Sequence, residues 1–394
     1  MNYLNLHSLF SPMRGLYSPR DLCDKAKENN ATHVALTDIN GLYGLLNFLE
    51  CAQEYNIEPI IGAELKDKGK NCVVLVKNKK GYQQLCQHLS HYYLDQVEMF
   101  DMKSTLFSSD DLVFITHDKK LCLHLESQNI FFSLTPGQFK HSDVLWAREK
   151  KIDVIANNMV FYLAPEDQEI FELLRSIDKN TTLDQYRQQK KYNSYCRMMS
   201  EEEMNRYFSL YPESLINLEK LSISLDARWY SKKVITPGYN NLSERACNKL
   251  LKRKCQKMIK KRYKNESDAF LKEVEKRLNQ ECQIISQKKF SSYFLNVEDI
   301  TKQCEFTCGR GSSAASIVNF LLGITHVEPL RENLLFERFM NLEREDPPDI
   351  DVDFPSDQRD DILDYIFSKF GERAAMVANH NYLRGRSAIR EVAN

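Results

Sequence analysis

Residues 347–354 read Pro-Pro-Asp-Ile-Asp-Val-Asp-Phe, and this octet constrains the fold more than any other stretch. Apolar and charged residues alternate with the period of a β-strand. Asp349, Asp351 and Asp353 therefore share one face, and Ile350, Val352 and Phe354 the other. The apolar face needs a core to pack on. The carboxylate face repels itself unless a cation sits over it or one carboxyl takes a proton. Paired Mg2+ ions answer that need, because hard cations on carboxylates clamp the attacking and leaving oxygens of a phosphoryl transfer. The alternative is a solvated acidic edge strand, and the tight apolar alternation weighs against it.

Upstream lies Gly309-Arg310-Gly311-Ser312-Ser313-Ala314-Ala315-Ser316, followed by Ile-Val-Asn-Phe-Leu-Leu-Gly. Small residues let backbone approach a ligand, free N–H groups at a helix start favour an anion, and hydroxyls add donors. The pattern suits a triphosphate, although it is neither a Walker loop nor a dinucleotide fingerprint. It equally suits a tight turn with a Ser cap before a buried helix. A phosphate cradle beside a two-carboxylate strand is the layout of a nucleotidyl transferase, in which a 3′-hydroxyl attacks an α-phosphate.

The first third of the chain alternates helix and strand signals. Ser18-Pro19 caps a helix, HVALTD reads as a buried strand, LYGLLNFLECAQEYN as an amphipathic helix, and IEPIIGAEL, CVVLVKN and LVFITH as further strands. This spacing predicts βαβ units in an α/β barrel or a doubly wound sheet. KIDVIANNMVFYL, near 151–163, reads as a late strand and PEDQEIFELLRSI as a helix. His7, Asp38 and Glu64 fall at or just beyond strands, where barrel active sites are built. Such a trio suits a divalent metal, or equally caps and turn formers. Residues 182–240, rich in Tyr, Gln, Ser and Lys, read as a domain edge, and 243–289 as charged helix with a strongly basic first half.

Composition sets the outer bounds. With 394 residues, the chain has room for two or three domains at about 150 residues each. A hydrophobic fraction of 42% excludes disorder as the main state. Eleven scattered cysteines without zinc-site spacing predict reduced, mostly buried thiols and a cytoplasmic protein. The N-terminus lacks the basic-then-apolar order of a signal peptide, and no apolar run approaches the roughly 20 residues that cross a bilayer. A net charge of -1 argues against a polyanion partner taken as a sum. The sum hides a segregation, however. Cations concentrate at 249–264, around 310 and at 384–390, and carboxylates at 343–361.

These motifs together resemble the N-terminal part of a bacterial C-family DNA polymerase, the polymerase III alpha subunit and its error-prone relatives. CGRGSSAASIVNFLLGIT, LLFERFMNLERE, PPDIDVDF and ERAAMVANHNYLRGRSAIRE are similar to consecutive blocks of the family palm, and FSSYFLNVEDI to the segment before it. HSLFSP, ALTDINGLYG and PIIGAEL resemble the polymerase-and-histidinol-phosphatase (PHP) domain. The EREDPPDIDVDF and RAAMVAN wording leans toward the error-prone, translesion branch. The resemblance implies a PHP-type α/β barrel over 1–235, then an incomplete mixed α+β palm with helical segments over 236–394. It implies Asp351 and Asp353 as catalytic, Mg2+-binding aspartates. Gly311 and Ser312 would contact the incoming triphosphate, with Arg310, Arg338 and Arg386 as phosphate partners. DNA primer-template, dNTPs, and other polymerase subunits or a sliding clamp are the implied partners, with no membrane.

The departures from that family carry expectations too. Its opening His-x-His appears as Asn5-Leu6-His7, its Thr-Asp-His as Thr37-Asp38-Ile39, a later His as Asn71, and a late Asp-x-His as Met159 and Phe161. Only His7, Asp38 and Glu64 remain, which implies a degenerate PHP module without its metals. The family's third catalytic aspartate and its fingers lie beyond this sequence, so weak or absent polymerase activity is expected of the chain alone. Two other classes stay open: a non-catalytic interaction module of a polymerase complex, and a PHP-type phosphoesterase or 3′→5′ exonuclease.

Overall fold

The computed structural model describes every residue except 96, 126–128, 190–192, 232–234, 344–346 and 394. The ERED wording noted above therefore lies partly outside the described residues. The chain divides into two compact units, Met1–Ser231 with His380–Asn394, and Lys232–Asn379.

The first unit is an α/β barrel. Its sheet runs β1 (Tyr3–Leu6), β2 (His33–Leu36), β3 (Glu58–Asp67), β4 (Lys70–Val76), β5 (Leu112–Thr116), β6 (Ile130–Leu134) and β7 (Asp153–Ala156), paired in that order. The sheet curls until the chain just after β7 meets β1. His7 N–H donates to the Val160 carbonyl and Val160 N–H to that of Asn5, both at 2.9 Å. Leu4, Ala35, Ile60, Leu75, Ile115 and Val154 are buried inside one core. The eleven cysteines are all free, and most of them are buried.

Not every neighbouring pair is parallel, as βαβ units alone would make them. β3–β4 and β4–β5 are antiparallel. Only Lys68 and Gly69 join β3 to β4, with φ of 46° and 83°. Two residues cannot span a parallel crossover, whereas two positive-φ residues make a tight hairpin turn. The reading of 151–163 as one strand is also corrected, to β7 plus the isolated bridging residues Val160 and Tyr162. The first unit further holds the helices Lys79–Leu94 and His141–Glu149, which carry no reading above.

Within 182–240, residues up to 225 are more than an edge. Helices Glu201–Tyr207 and Pro212–Ser224 lie here, and Met204, Phe208, Leu218, Leu221 and Leu225 join the barrel core. Leu215, Leu218, Leu221 and Leu225 recur at helical spacing, a signal diluted by the polar residues between them. Ser200 caps the first of these helices in a capping box with Glu203, whose carboxylate also meets the Arg197 guanidinium.

The second unit is mainly helical, with Glu244–Arg262, Asp268–Gln287, Ser291–Thr301, Ile317–Leu322 and Arg359–Phe370. Cys247, Leu251, Cys255 and Ile259 form the buried stripe of the first helix. Lys252, Arg253, Lys257, Lys260 and Lys261 are exposed on its other side. A short antiparallel pair, β8 (Cys308–Arg310) and β9 (Asp351–Asp353), completes the unit. No helix among the described residues is long and apolar enough to cross a membrane.

Arg197 holds the Glu203 carboxyl down at about 2, below its ordinary 4.5. A depressed carboxyl stabilises the fold above the unfolded value, and that contribution is lost as pH falls through the folded one. In thermal melts, the wild type should lose stability more steeply than Glu203→Gln between about pH 4.5 and 2. Parallel curves would refute the assignment.

Candidate functional site

The β8–β9 ladder builds the candidate site. Its register sets Arg310 opposite Asp351, Gly309 opposite Val352 and Cys308 opposite Asp353. Asp351 and Asp353 are exposed, while Ile350 and Val352 pack on the core of this unit. The octet thus splits its faces as its alternation dictates. The Arg310 guanidinium reaches across to Asp353, Nε to Oδ2 at 3.3 Å. Both side chains are more than half exposed, so this pair adds little stability, but it shows that the face accommodates a cation.

Two glycines allow close approaches here, one to the Ile324 backbone and one to Asp351. A Cβ on Gly309 would lie 2.3 Å from the Ile324 carbonyl oxygen, a clash with backbone. Gly311 has φ +69°, and a Cβ there would lie 3.1 Å from Asp351 Oδ2. The Gly311 backbone is therefore held directly against the carboxylate. Ser312 beside it is exposed, whereas Ser313 is buried and its hydroxyl donates to the Arg310 carbonyl at 2.7 Å.

The helix after this turn corrects one part of the phosphate reading. Its first amides are not free. Ile317 N–H and Val318 N–H donate to the Glu281 carboxylate at 3.0 and 3.2 Å, and the Ser316 hydroxyl donates to it at 2.8 Å. Ser316 also caps the helix, all six residues of which are buried. Only the exposed Gly311–Ser312 corner remains for a phosphate.

Glu281 and its partner Arg277 were not singled out from sequence. Arg277 Nε donates to Glu281 at 2.7 Å, and its Nη2 to the carbonyls of Ala315 and Leu334 at 3.0 Å each. Burial pushes the Glu281 carboxyl up, against the opposing pull of these amides, Arg277 and Ser316. The available signal was a Glu on the same helical stripe as Val274, Leu278 and Ile285. Tyr293 was likewise passed over. Its hydroxyl engages the Ile350 backbone, and burial with nearby Asp349 and Asp351 pushes its pKa up.

Arg338 is exposed on the turn Phe336–Arg338. Arg386 is exposed on the helix Gly385–Ala393, which belongs to the first unit.

In the barrel, His7 and Glu64 meet, Nε2 to Oε2 at 2.7 Å, both fully buried. The other His7 nitrogen contacts the Val160 carbonyl at 3.0 Å, and Phe161 stacks on the ring at 4.2 Å. Asn71 Nδ2 donates to the second Glu64 oxygen at 3.1 Å, with Lys66 Nζ 3.7 Å away. Burial raises the Glu64 carboxyl, but Lys66, His7 and Asn71 outweigh it and hold it well below the usual range. Asp38 is engaged apart from this pair, by Ser8 N–H and the hydroxyls of Ser8 and Ser11 at 2.7–2.8 Å. The His7–Glu64 pair and Asp38 thus have separate sets of partners, and among the described residues no three His, Cys, Asp or Glu side chains are grouped as a metal site.

Comparison with known proteins agrees with both units. The PHP domain family matches residues 4–128, and the bacterial DNA polymerase III alpha NTPase domain family matches 249–394. The DNA polymerase III subunit alpha of Ureaplasma parvum is 29% identical over 395 residues, 99% of this chain and 38% of that protein. The Staphylococcus aureus subunit is 29% identical over 400 residues, 99% of this chain and 36% of its own. The chain thus spans little more than a third of these relatives. A solved amidohydrolase from Chromobacterium violaceum covers 46% of this chain and 84% of its own at 12% identity and TM-score 0.23, a level from which no chemistry follows.

Removing the buried Glu281 carboxylate leaves Arg277 and two amides without their acceptor. Breaking such a pair costs about 3–5 kcal/mol. Glu281→Ala should lower the denaturation midpoint accordingly, and a loss under about 1 kcal/mol would show that the turn is held otherwise.

Proposed function

From a chain related over nearly its whole length to bacterial DNA polymerase III alpha subunits, with a PHP domain followed by the polymerase's NTPase domain, we propose that the second unit supplies the nucleotide-binding corner of templated DNA synthesis. The observation that carries the reading is the β8–β9 ladder. It sets Asp351 and Asp353 on one exposed face with the Gly311 backbone packed on the first of them.

Two exposed carboxylates on one strand face fit a divalent cation, and Arg310 already lends that face a positive partner. Asp351 and Asp353 would hold Mg2+, which when bound neutralises developing phosphate charge. The protein's own part is positional. The exposed Gly311 N–H and Ser312 hydroxyl are donors for phosphate oxygens, and Arg310 is poised to leave Asp353 for the same oxygens, since a guanidinium binds phosphate in a bidentate manner. Arg338 and Arg386 are further phosphate partners only by resemblance. The substrates are dNTPs and a DNA primer-template, and the exposed cations of helix Glu244–Arg262 match the charge of a phosphate backbone. Other polymerase subunits are the natural partners, and the cytoplasm the natural compartment.

The barrel, in this reading, is a structural module without its family's metals. Positions 5, 39, 71, 159 and 161 carry Asn, Ile, Asn, Met and Phe, and the polar survivors are tied to one another or to Ser8 and Ser11.

Metal-dependent dNTP binding tests the proposal. The chain is titrated with a dNTP in Mg2+ and in EDTA. Asp351→Asn and Asp353→Asn should each weaken the Mg2+-dependent affinity by at least about tenfold, the scale of one charge-assisted contact. Affinity indifferent to Mg2+, or unchanged in both variants, would overturn it.

A further inference from the structure

Helix Ser291–Thr301 grips the acidic strand from both sides, through one side chain before it and one after it. Before it stands Tyr293, partly buried against the core on which Ile350 and Val352 also pack. Phe290 and Phe294 meet its ring edge-on, with centroids 6.5 and 6.4 Å away. A ring enclosed in this way keeps few rotamers. After the strand comes helix Arg359–Phe370, whose Lys369 Nζ donates to Asp299 at 2.8 Å. The rings of Tyr239, Tyr365 and Phe370 stand 5.5–5.7 Å from that ammonium, so it is held as well as paired. Tyr293 and Asp299 are about 9 Å apart along one helix axis. A single helix thus fixes the chain at the entry to Asp351–Asp353 and again beyond its exit.

The Tyr293 hydroxyl carries the first of these grips. The Ile350 backbone pulls the phenol's pKa down, while burial, Asp349 and Asp351 push it up. Only an N–H facing the phenol oxygen favours the phenolate, so the Ile350 N–H points at the hydroxyl. The ladder begins at the next residue, with Asp351 opposite Arg310. The phenol oxygen therefore sits on the amide between two carboxylates, just where the chain enters the strand. Among the described residues no hydrogen-bond acceptor takes the phenol's own proton. With its oxygen turned to an N–H, the hydroxyl still has that proton to offer to an aspartate or to water on a bound cation.

We propose that Tyr293 is the positioning residue of the acidic strand. It pins Ile350, and through it the Asp351 carboxylate, where Asp351 and Asp353 can share one divalent cation. The inference rests on the nucleotide-corner reading for the roles of those two aspartates. It adds a residue that lies outside both the strand and the glycine-rich turn, and that acts through Asp351 without itself binding the cation.

Mn2+ serves as a paramagnetic stand-in for Mg2+, and electron paramagnetic resonance of the full chain counts free against bound ion, first without nucleotide and then with dATP. Tyr293→Phe keeps the ring and removes the hydroxyl. It should weaken Mn2+ binding about three- to tenfold, the scale of one hydrogen bond, with a melting curve close to that of the wild type. Tyr263→Phe removes an equal hydroxyl elsewhere in the unit, where it donates to Glu328, and should leave Mn2+ affinity unchanged. Asp351→Asn supplies the readout that a general packing role would not move. Once Asp351 has lost its charge, adding Tyr293→Phe should weaken binding little further. Wild-type affinity in Tyr293→Phe, an equal loss in Tyr263→Phe, a fully additive loss in the double variant, or no saturable Mn2+ binding by the wild type would overturn the proposal. Mn2+ binding that Tyr293→Phe weakens, in a chain that takes up no dATP, would support the positioning role and refute the nucleotide reading alone.

Discussion

The second unit is organised around one buried carboxylate. Glu281 is fully enclosed and accepts from Arg277, the Ser316 hydroxyl and two backbone amides. An ionised carboxylate in such a place is tolerable only when its oxygens are fully bonded. Here the bonding does structural work at a distance. It ties helix Asp268–Gln287 to the start of Ile317–Leu322, and through Arg277 to the carbonyls of Ala315 and Leu334. The GSSAA turn hangs between those ties. The turn that carries the exposed corner is therefore anchored from behind by a single buried carboxylate and its arginine.

The barrel applies the same economy to another end. His7, Asn71 and Lys66 converge on Glu64, and Asp38 organises the Ser8–Ser11 loop through three short bonds. Polar groups that face a barrel mouth must be paired with metal, water or each other. In this chain they pair with each other on the inner side, and a cavity in front of them is lined by Arg and Lys.

Much of this was legible from local patterns. The cap Ser18-Pro19, the buried run of β2 and the alternation of 349–354 all depend on backbone periods that neighbouring residues fix among themselves. Other elements were legible in principle but diluted. Leu215, Leu218, Leu221 and Leu225 mark a helix face inside a polar stretch, and Lys68-Gly69 marks a hairpin where βαβ spacing pointed to a crossover. The sheet's curl onto itself left almost no trace, because closure rests on one residue, Val160, bonded to β1.

The candidate site shows where local pattern ends. Period 2 is a property of the extended backbone, so the sequence alone determined that Asp351 and Asp353 share a face and that Val352 turns inward. It also determined that residues 311–316 are small, with a turn-forming glycine at their start. Which donors there remain available was decided only by tertiary structure. The amides of Ile317 and Val318 looked free along the chain, yet Glu281 arrives from 36 and 37 residues away to consume them. The Arg14 guanidinium, by contrast, finds no hydrogen-bond or ion-pair partner among the described residues. The reason is the same in both cases: a hydrogen bond is settled by which partner folding brings within 3 Å, and that partner is seldom a neighbour in sequence.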